Sequence, residues 1–452
     1  MQRFVYIQTF GCQMNVYDTE RILQVLEPED YAATDDPSRA DLILLNSCTV
    51  REKAEMKMMS YLGSFAQLKE HNPDLLIGVA GCVAQQEGER LLKKVPLLDL
   101  VFGPDNIPEL PGIVQRAREN GERVSLTKLH KKKKGYEFIA GKPMVTGKPS
   151  TMVTVMKGCN KNCAFCIVPR VRGRELSKPC SEVVSEVARC VDAGIREVML
   201  LGQNVNSYGH DRDDGILFPN LLDAVDAVEG LERLRFTTSH PWDCTDALID
   251  RFANLKSLCE YFHLPVQSGS NSVLERMRRG YTFDEYVERA DRIRSTVPGL
   301  HLTTDIIVGF PGETEEDFQR TIDLIHRVEY DGLYAFKYSE RTGTKASQWE
   351  DDVPETVKKE RLARVFAAAD VYRKQRLATY ADQIVEVLVE GPAKASKPTQ
   401  PQLSGRTRTN VVVNFPVGNA ALGTWRWKGK MAQVRVKRVL QHSLYGEIEL
   451  VQ

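Results

Sequence analysis

The stretch that decides the fold runs from 157 to 166 and reads KGCNKNCAFC. Its cysteines, Cys159, Cys163 and Cys166, are spaced as C-x-x-x-C-x-x-C and follow a strand-like run at 152–156. In a barrel of alternating strands and helices, the loops that follow the strands build the active site. The stretch therefore predicts that three thiols share the first such loop of a β/α barrel.

Beyond this loop the chain repeats a β-then-α pattern. Further strand-like runs lie at 197–201, 234–238, 261–265, 302–308 and 333–338, with amphipathic helical runs between them. One such helix repeats Phe318, Ile322 and Ile325 on one face behind a cap at Thr314. Because a closed barrel of this type has eight strands, we expect an open or partial barrel. A long helical pattern at 357–381 ends the predicted domain, which spans 151–381.

Segment 1–127 has an α/β pattern of its own. Strand-like runs begin at Phe4, Leu42 and Leu76, and each is followed by a loop with one cysteine, in order Cys12, Cys48 and Cys82. Repeated strand, loop and helix predict a parallel sheet, whose strand ends share one edge. We therefore expect these three cysteines to converge into one site. The competing interpretation is that they are buried small apolar residues, as free cysteines often are.

Segment 128–150 is predicted to be a basic, turn-rich linker. It contains the four adjacent lysines Lys131–Lys134, followed by scattered glycines and prolines. Such a run is typical of a solvated linker, although four ammonium groups near a nucleic acid would also add salt-sensitive affinity.

Segment 382–452 is rich in valine, glycine and threonine and predicts a small all-β barrel. From Ile384 onward it has ten Lys or Arg against four Asp or Glu. This excess indicates an RNA-binding surface. The candidate phosphate contacts are Arg406, Arg408, Lys428, Lys430 and Arg435.

The composition of the whole chain excludes several classes of protein. Its 452 residues include 61 basic and 61 acidic side chains, with 42% hydrophobic residues. These values argue against bulk disorder and a wholly cationic surface. No run approaches the roughly 20 apolar residues of a membrane span, and the first ten residues do not form a signal pattern. We expect a cytoplasmic protein without membrane contact.

In a reducing compartment, clustered cysteines indicate metal binding or chemistry more often than disulfides. Three thiolates on one loop can bind three corners of a cubane iron–sulfur cluster and leave one iron open. Zinc is the alternative, with Cys180 as a distant fourth ligand, because zinc favours closed four-coordinate sites. We assign no function to Cys180, Cys190, Cys244 and Cys259, which form no pattern.

The 159–166 motif resembles that of the radical S-adenosylmethionine (SAM) superfamily, which implies a [4Fe–4S] cluster with SAM on its open iron. Further matches are LGQNVN at 201–206, SHP at 239–241, LPVQSG at 264–269 and DIIVGFPGE at 305–313. Each lies at the end of a predicted strand, where glycines and short polar side chains suit a SAM site. The resemblance implies the cofactor-binding residues Phe165, Gly202, Gln203, Asn204, Ser239, Gln267 and Asp305. No further catalytic residue is assigned beyond the cluster ligands.

The first and last segments resemble the methylthiotransferase family within that superfamily. The matches are GCQMN at 11–15, NSCTVREKA at 46–54, GCVAQ at 81–85 and SGRTRTN at 404–410, the last similar to the TRAM RNA-binding domain. The resemblance implies that Cys12, Cys48 and Cys82 hold a second [4Fe–4S] cluster. Two small departures, Ser47 where Thr is usual and Lys345 where Pro is common, touch no ligand.

Within the family, the residues after the first two cysteines are similar to the branch that converts N6-isopentenyladenosine in tRNA, next to the anticodon, to its 2-methylthio form. The implied first cluster cleaves SAM to a 5′-deoxyadenosyl radical, and the second presents sulfur that another SAM methylates. The implied partners are the tRNA anticodon stem-loop and an electron donor of the flavodoxin or ferredoxin type, and we expect a monomer. The alternatives are the branches acting on threonylcarbamoyladenosine in tRNA or on a ribosomal-protein aspartate, and a non-catalytic zinc-dependent RNA-binding protein.

Overall fold

The computed structural model describes residues 2–49, 52–129, 138–139, 148–394, 396–397, 400–417 and 427–451, without the side chains of 52–54 and 451. The Lys131–Lys134 run and most of the predicted linker lie outside these residues. Among the helices of the described ranges, none is both long enough and apolar enough to cross a membrane.

The N-terminal part forms a six-stranded parallel sheet with the order β2-β1-β3-β4-β5-β6. Its elements are β1 (Arg3–Phe10), α1 (Gln13–Leu26), β2 (Tyr31–Ala33), β3 (Leu42–Ser47), α2 (Glu52–Ser64), α3 (Ala66–His71), β4 (Leu76–Gly81), α4 (Cys82–Glu87), α5 (Glu89–Lys94), β5 (Leu100–Phe102), α6 (Leu110–Asn120) and β6 (Val124–Leu126). Separate apolar clusters cover its two faces, so β3 and β4 are buried along their whole length. Burial on both faces explains their continuous apolar sequence.

The central part contains six parallel strands that form an open barrel. Its elements are β7 (Ser150–Thr154), β8 (Met156–Lys157), α7 (Val168–Val171), β9 (Leu176–Ser177), α8 (Cys180–Asp192), β10 (Glu197–Leu201), α9 (Phe218–Asp226), β11 (Arg233–Phe236), α10 (Asp246–Asn254), β12 (Tyr261–His263), α11 (Asn271–Arg276), α12 (Phe283–Thr296), β13 (His301–Val308), α13 (Glu315–Val328), β14 (Gly332–Lys337) and α14 (Glu355–Ala378). Two sheets, β11-β10-β7 and β12-β13-β14, are joined by a parallel bridge between Leu234 and Leu258. The edges of the barrel are therefore β7 and β14.

The barrel strands have an outer face and an inner face. Val198, Leu200 and Leu234 point outward into the largest apolar core, which the surrounding helices complete. By the strand register, Met152, Met199 and Arg235 share the opposite face, which is the inside of the barrel. This alternation follows from the two-residue period of a strand.

The C-terminal part is a closed five-stranded barrel with the order β15-β16-β17-β19-β18. Its strands are β15 (Ile384–Pro392), β16 (Gln402–Arg406), β17 (Val412–Pro416), β18 (Met431–Val439) and β19 (Leu444–Val451). The predicted fold class is thus confirmed: a parallel α/β sheet, a partial six-stranded barrel and a small β-barrel. One prediction needs correction, because the strand expected at 152–156 is broken at Val155 and Met156–Lys157 pairs antiparallel with Leu176–Ser177.

Two buried arginines of β11 anchor the small barrel to the inside of the large one. Arg235 donates from Nη1 to the carbonyl of Arg408 at 2.7 Å and from Nη2 to that of Thr407 at 2.8 Å. Arg233 donates to the carbonyl of Arg406 at 2.7 Å. Glu197 lies 3.0 Å from Arg235 Nε and balances its charge. The small barrel therefore closes the end of the large barrel where the strands begin.

We predict that Arg235→Ala destabilises the attachment of the small barrel. The substitution removes the close partner of Glu197, which keeps only Arg233 at 4.0 Å, and the donor to the Arg408 carbonyl. Breaking a buried ion pair costs about 3–5 kcal/mol. The control, Arg251→Ala, removes the surface pair with Asp223, which is worth about 0–1 kcal/mol. Urea titration followed by proteolysis of the 379–383 junction measures the difference, and equal sensitivity of both variants would contradict the anchoring role.

Candidate active site

The loop between β8 and α7 carries Cys159, Cys163 and Cys166. It begins at Gly158, whose φ is +74°, and a Cβ there would collide with the carbonyl of Arg174, so only glycine fits. Three backbone N–H groups of the loop donate hydrogen bonds to the surrounding structure. Cys159 donates to the Gly173 carbonyl (3.1 Å), Asn160 to Glu175 Oε1 (3.1 Å) and Ala164 to the Met277 carbonyl (2.9 Å). These hydrogen bonds fix the backbone that carries the three thiols.

The three thiols are half-buried and lie beside one cation, Arg279. Burial is the main cause that raises the pKa of Cys159 and of Cys166 to about 12. The sulfur of Cys163 accepts a hydrogen bond from Arg279 Nη1 at 3.2 Å and lies 3.9 Å from His240 Nε2. Burial, and then the charge of Arg279, hold the pKa of His240 well below its usual range, so its ring is neutral. Burial penalises a bare thiolate, and a metal removes that penalty by binding the sulfur.

Three of the residues predicted to bind SAM have buried polar atoms without a partner in the described part of the chain. These atoms are Gln203 Nε2, Asn204 Oδ1 and Ser239 Oγ. All three residues follow the ends of β10 or β11, next to the cysteine loop, and Gln203 Oε1 accepts from the backbone N–H of Gly158. Because buried polar groups are nearly always paired, these open positions fit a ligand with several polar groups.

The remaining predicted SAM residues surround the same region. Phe165 packs edge-on against Phe310 with 6.4 Å between ring centres. Gln267 has a φ of +75°, and its N–H donates to the carbonyl of Asp305 at 2.9 Å. Gly202 accepts from the Thr238 hydroxyl through its carbonyl. The structure thus brings six of the seven predicted SAM residues to the strand ends and following loops of one barrel, whereas Asp305 lies inside β13, three residues before its end.

The N-terminal cysteines follow three adjacent strands. Phe10, Ser47 and Gly81 are paired in register at the ends of β1, β3 and β4, so Cys12, Cys48 and Cys82 begin the next segments at one edge.

The first two of these cysteines are in close contact. Gly11 has a φ of +134°, and a Cβ there would collide with the Cβ of Cys48. The hydrogen bond from Cys48 is the main cause that lowers the pKa of Cys12 to about 6, with Arg172 acting in the same direction and burial opposing it.

One buried arginine connects the two cysteine sites. Arg172 directly follows α7, the helix that the 159–166 loop leads into, and donates from Nε to the sulfur of Cys82 at 3.3 Å. It also binds Asp18 of α1 through both Nη atoms, at 3.1 and 2.5 Å. Cys82 packs with Ile167 and Val171, which flank the same loop. The two groups of three cysteines are therefore neighbours.

Sequence reasoning missed Arg172, Asp18 and Arg279. Arginines next to cysteine sulfurs carry no motif of their own, and only the fold brings Arg172 90 residues along the chain to Cys82. The one available signal was proximity in sequence, since Arg172 lies six residues after Cys166.

The N-terminal cysteine site faces the inside of the barrel. Cys12, Met14 and Tyr17 pack against Leu201, and Met152 and Met199 of the inner face complete the same apolar cluster. The N-terminal domain therefore covers the barrel wall formed by β7 and β10.

The zinc alternative finds no support in the position of Cys180. This residue begins α8, partly buried against the outer core, and the charged groups that act on it are Asp214 and Arg212. Cys190, Cys244 and Cys259 are buried. In the described ranges, no three His, Cys, Asp or Glu side chains, those of the two cysteine groups included, converge as ligands of a single metal ion.

The five basic residues predicted to contact RNA are in different situations. Arg408 is committed to the large barrel, where it binds Glu260 at 2.9 Å and the Leu258 carbonyl at 2.6 Å. Arg406 pairs with Glu390 at 2.9 Å and Arg435 with Glu449 at 2.6 Å on the surface. Lys430 is exposed and Lys428 is half-buried. The Arg408 side chain is therefore occupied by its contacts with the large barrel, and this structural role competes with the predicted RNA contact.

Three known family models match successive parts of the chain. Residues 4–103 match the uncharacterized protein family UPF0004, residues 153–325 the radical SAM superfamily and residues 378–448 the TRAM domain. Among solved structures, the radical S-adenosylmethionine methyltransferase TsrM from Kitasatospora setae is similar with a TM-score of 0.58 at 15% identity, covering 77% of each chain. That likeness shows the fold.

Similarity to curated proteins extends over nearly the whole chain. The tRNA-2-methylthio-N(6)-dimethylallyladenosine synthase of Syntrophotalea carbinolica is 45% identical, covering 98% of this chain and 99% of the relative. The enzyme of the same name from Geobacter sulfurreducens is 46% identical, covering 99% and 97%. The chain belongs to the family of the tRNA-2-methylthio-N(6)-dimethylallyladenosine synthases, which are radical SAM methylthiotransferases.

Proposed function

We propose that this enzyme replaces the C2–H of N6-dimethylallyladenosine, next to the anticodon of tRNA, with a methylthio group. The observation that carries the proposal is the meeting of two groups of three cysteines at one barrel, joined by the buried contact of Arg172 with Cys82 and Asp18. Replacing a hydrogen on an aromatic carbon by sulfur requires both hydrogen removal and a sulfur source. Two adjacent cluster sites meet both requirements.

As a radical SAM enzyme, the protein uses a [4Fe–4S] cluster and SAM. We propose that Cys159, Cys163 and Cys166 hold this cluster, and that Cys12, Cys48 and Cys82 hold a second one. When bound, these groups supply the one-electron chemistry and the sulfur that side chains cannot supply by acid–base catalysis.

The protein's own residues position these groups. Arg279 donates to the sulfur of Cys163, and Arg172 donates to that of Cys82, so each site has one buried cation on one ligand. Such hydrogen bonds orient a metal ligand and tune the electron density on its sulfur. Gln203, Asn204 and Ser239 offer the open hydrogen-bonding positions for SAM.

The TRAM domain and the tRNA-modifying relatives support RNA binding by the small barrel. We further propose that the substrate is the anticodon stem-loop, that an electron donor of the flavodoxin or ferredoxin type serves the enzyme, and that it acts as a cytoplasmic monomer. The domain limits that accompany this proposal are 1–127, 151–381 and 382–452, with a linker at 128–150.

The function is tested by tRNA nucleoside mass spectrometry in a bacterial strain that lacks its own synthase and carries this gene. We expect 2-methylthio-N6-dimethylallyladenosine to reappear, and a gene with Cys163→Ala not to restore it. Restoration of the methylthio form of threonylcarbamoyladenosine instead would assign the enzyme to another branch of the family.

Iron analysis of anaerobically prepared protein tests the two ligand sets. Two [4Fe–4S] clusters give about eight irons per chain, so Cys163→Ala and Cys48→Ala should each retain about four. Cys163→Ala should lose SAM cleavage, whereas Cys48→Ala should still form 5′-deoxyadenosine without methylthio product. The control is Cys190→Ala in the apolar core, which should keep both clusters. Full product formation by Cys48→Ala would rule out the N-terminal cluster.

Salt dependence tests the RNA contact of the small barrel. Each phosphate contact that is lost should reduce the slope of log affinity against log salt by about 1. We therefore expect Lys430→Glu combined with Arg435→Glu to weaken stem-loop binding and flatten the slope by about 2, as measured by fluorescence anisotropy. Lys374→Glu on the exposed side of α14 is the matched control. An unchanged slope would remove these two residues from the RNA surface.

A further inference from the structure

Two large aromatic side chains are exposed on the inner face of the last barrel strand. On β14, Ala335 is buried and packs in the outer core, so its neighbours Tyr334 and Phe336 point the opposite way. Their side chains are 54% and 42% exposed. Large apolar side chains on the inside of a barrel normally fill it, and here they face an open space instead.

The pair lies between the cysteine loop and the small barrel. Phe336 is paired in register with Ile307, which packs in one apolar cluster with Ala164 and Phe165 of the cysteine loop. Tyr334 is paired with Asp305, two residues farther from the loop. Phe336 is therefore the aromatic ring closer to the cysteine loop, and Tyr334 lies about 7 Å deeper along the strand.

Tyr334, the deeper of the two rings, has polar neighbours. The His263 ring packs edge-on against Tyr334 with 5.9 Å between ring centres, and His263 Nε2 lies 3.5 Å from Asp305 Oδ2. Tyr261 is the main cause that raises the pKa of Tyr334 to about 12, and Arg406 acts in the opposite direction. Tyr334 is thus a neutral phenol in the physiological range, near a cation of the small barrel.

The opposite wall of the barrel belongs to the second cysteine site. Met152 and Met199 of β7 and β10 lie on the inner face, under Cys12 and Met14 of the N-terminal domain. Because β7 and β14 are the two edges of the open barrel, the aromatic pair and the N-terminal cysteine site border the same opening. A flat group that enters there meets aromatic rings on one side and thiols on the other.

We propose that Phe336 stacks on the target adenine after it leaves the RNA stack, and that Tyr334 contacts its N6-dimethylallyl group. This inference rests on the proposed function and names the residues that hold its substrate. Enzymes that react at a base take it out of the stack, and aromatic side chains are the usual platform for an unstacked base. With C2 directed at the cysteine loop, the N6 substituent points away from that loop, toward the deeper ring.

The test uses the full-length, cluster-loaded protein and synthetic anticodon stem-loops that carry either adenine or its prenylated form, N6-dimethylallyladenine, at the target position. Loss of one base–aromatic stack weakens binding by about 5- to 150-fold. We expect Phe336→Ala to lose affinity for both stem-loops to this extent, and Tyr334→Ala to lose the preference for the prenylated one. Phe336→Tyr and Tyr334→Phe should retain binding.

The matched control is Phe366→Ala on α14, where the phenylalanine is 43% exposed. A stem-loop with 2-aminopurine at the target position provides a readout of stacking that does not depend on turnover. This base is stacked and dim in the free loop, so its fluorescence should rise on binding to the wild-type protein and the control, and rise much less with Phe336→Ala at saturating protein, because that variant lacks the ring that holds the unstacked base. Iron content measured in parallel should be unchanged, because neither side chain contributes to a cluster.

The outcomes separate the two proposals. Equal affinity of the wild type for both stem-loops would overturn the assignment of the prenylated substrate. A wild-type preference for the prenylated stem-loop, with Phe336→Ala and Tyr334→Ala indistinguishable from Phe366→Ala, would overturn the stacking role and leave the substrate assignment intact.

Discussion

The contact between Arg172 and Asp18 is the constraint on which the arrangement of this enzyme depends. The two side chains form a bidentate ion pair with two hydrogen bonds, buried where the N-terminal domain meets the barrel. Two charges taken out of water are tolerated only when their geometry satisfies both partners. Since Arg172 also donates to Cys82, the position of the N-terminal cysteine site is fixed relative to the loop that carries the other three cysteines.

Charged residues set the domain arrangement elsewhere too. Arg233 and Arg235 point into the barrel rather than into solvent, and their hydrogen bonds end on backbone carbonyls of the small barrel. Backbone carbonyls are present whatever the side chain, so these hydrogen bonds do not depend on the side chains at 406–408, whereas the contact of the Arg408 side chain with Glu260 does. Arg408 therefore serves the interface twice, through its carbonyl, which accepts from Arg235, and through its side chain, which binds Glu260 of the large barrel.

The sequence was informative where chemistry or periodicity is local. The spacing of Cys159, Cys163 and Cys166 predicted the first loop, and the strand-like runs predicted the six-stranded barrel. What could not be read from the sequence depends on long-range contacts. An Arg-Leu-Arg-Phe strand looks amphipathic with its arginines in solvent, yet both arginines are buried because another domain covers them. Likewise, the basic excess at the C-terminus predicted RNA contacts for Arg408, whose closest partners belong to the large barrel.

The anchoring of the small barrel at the closed end of the large one fixes a distance within the enzyme. The guanidinium groups of Arg233 and Arg235 leave the small barrel little freedom to swing, so the distance from its basic surface to the cysteine loop is built in. With the proposed phosphate contacts on that surface, a bound RNA would bring into the opening only a nucleotide at the matching distance along its backbone. The choice of which adenosine is modified would then depend partly on length, before any base is recognised.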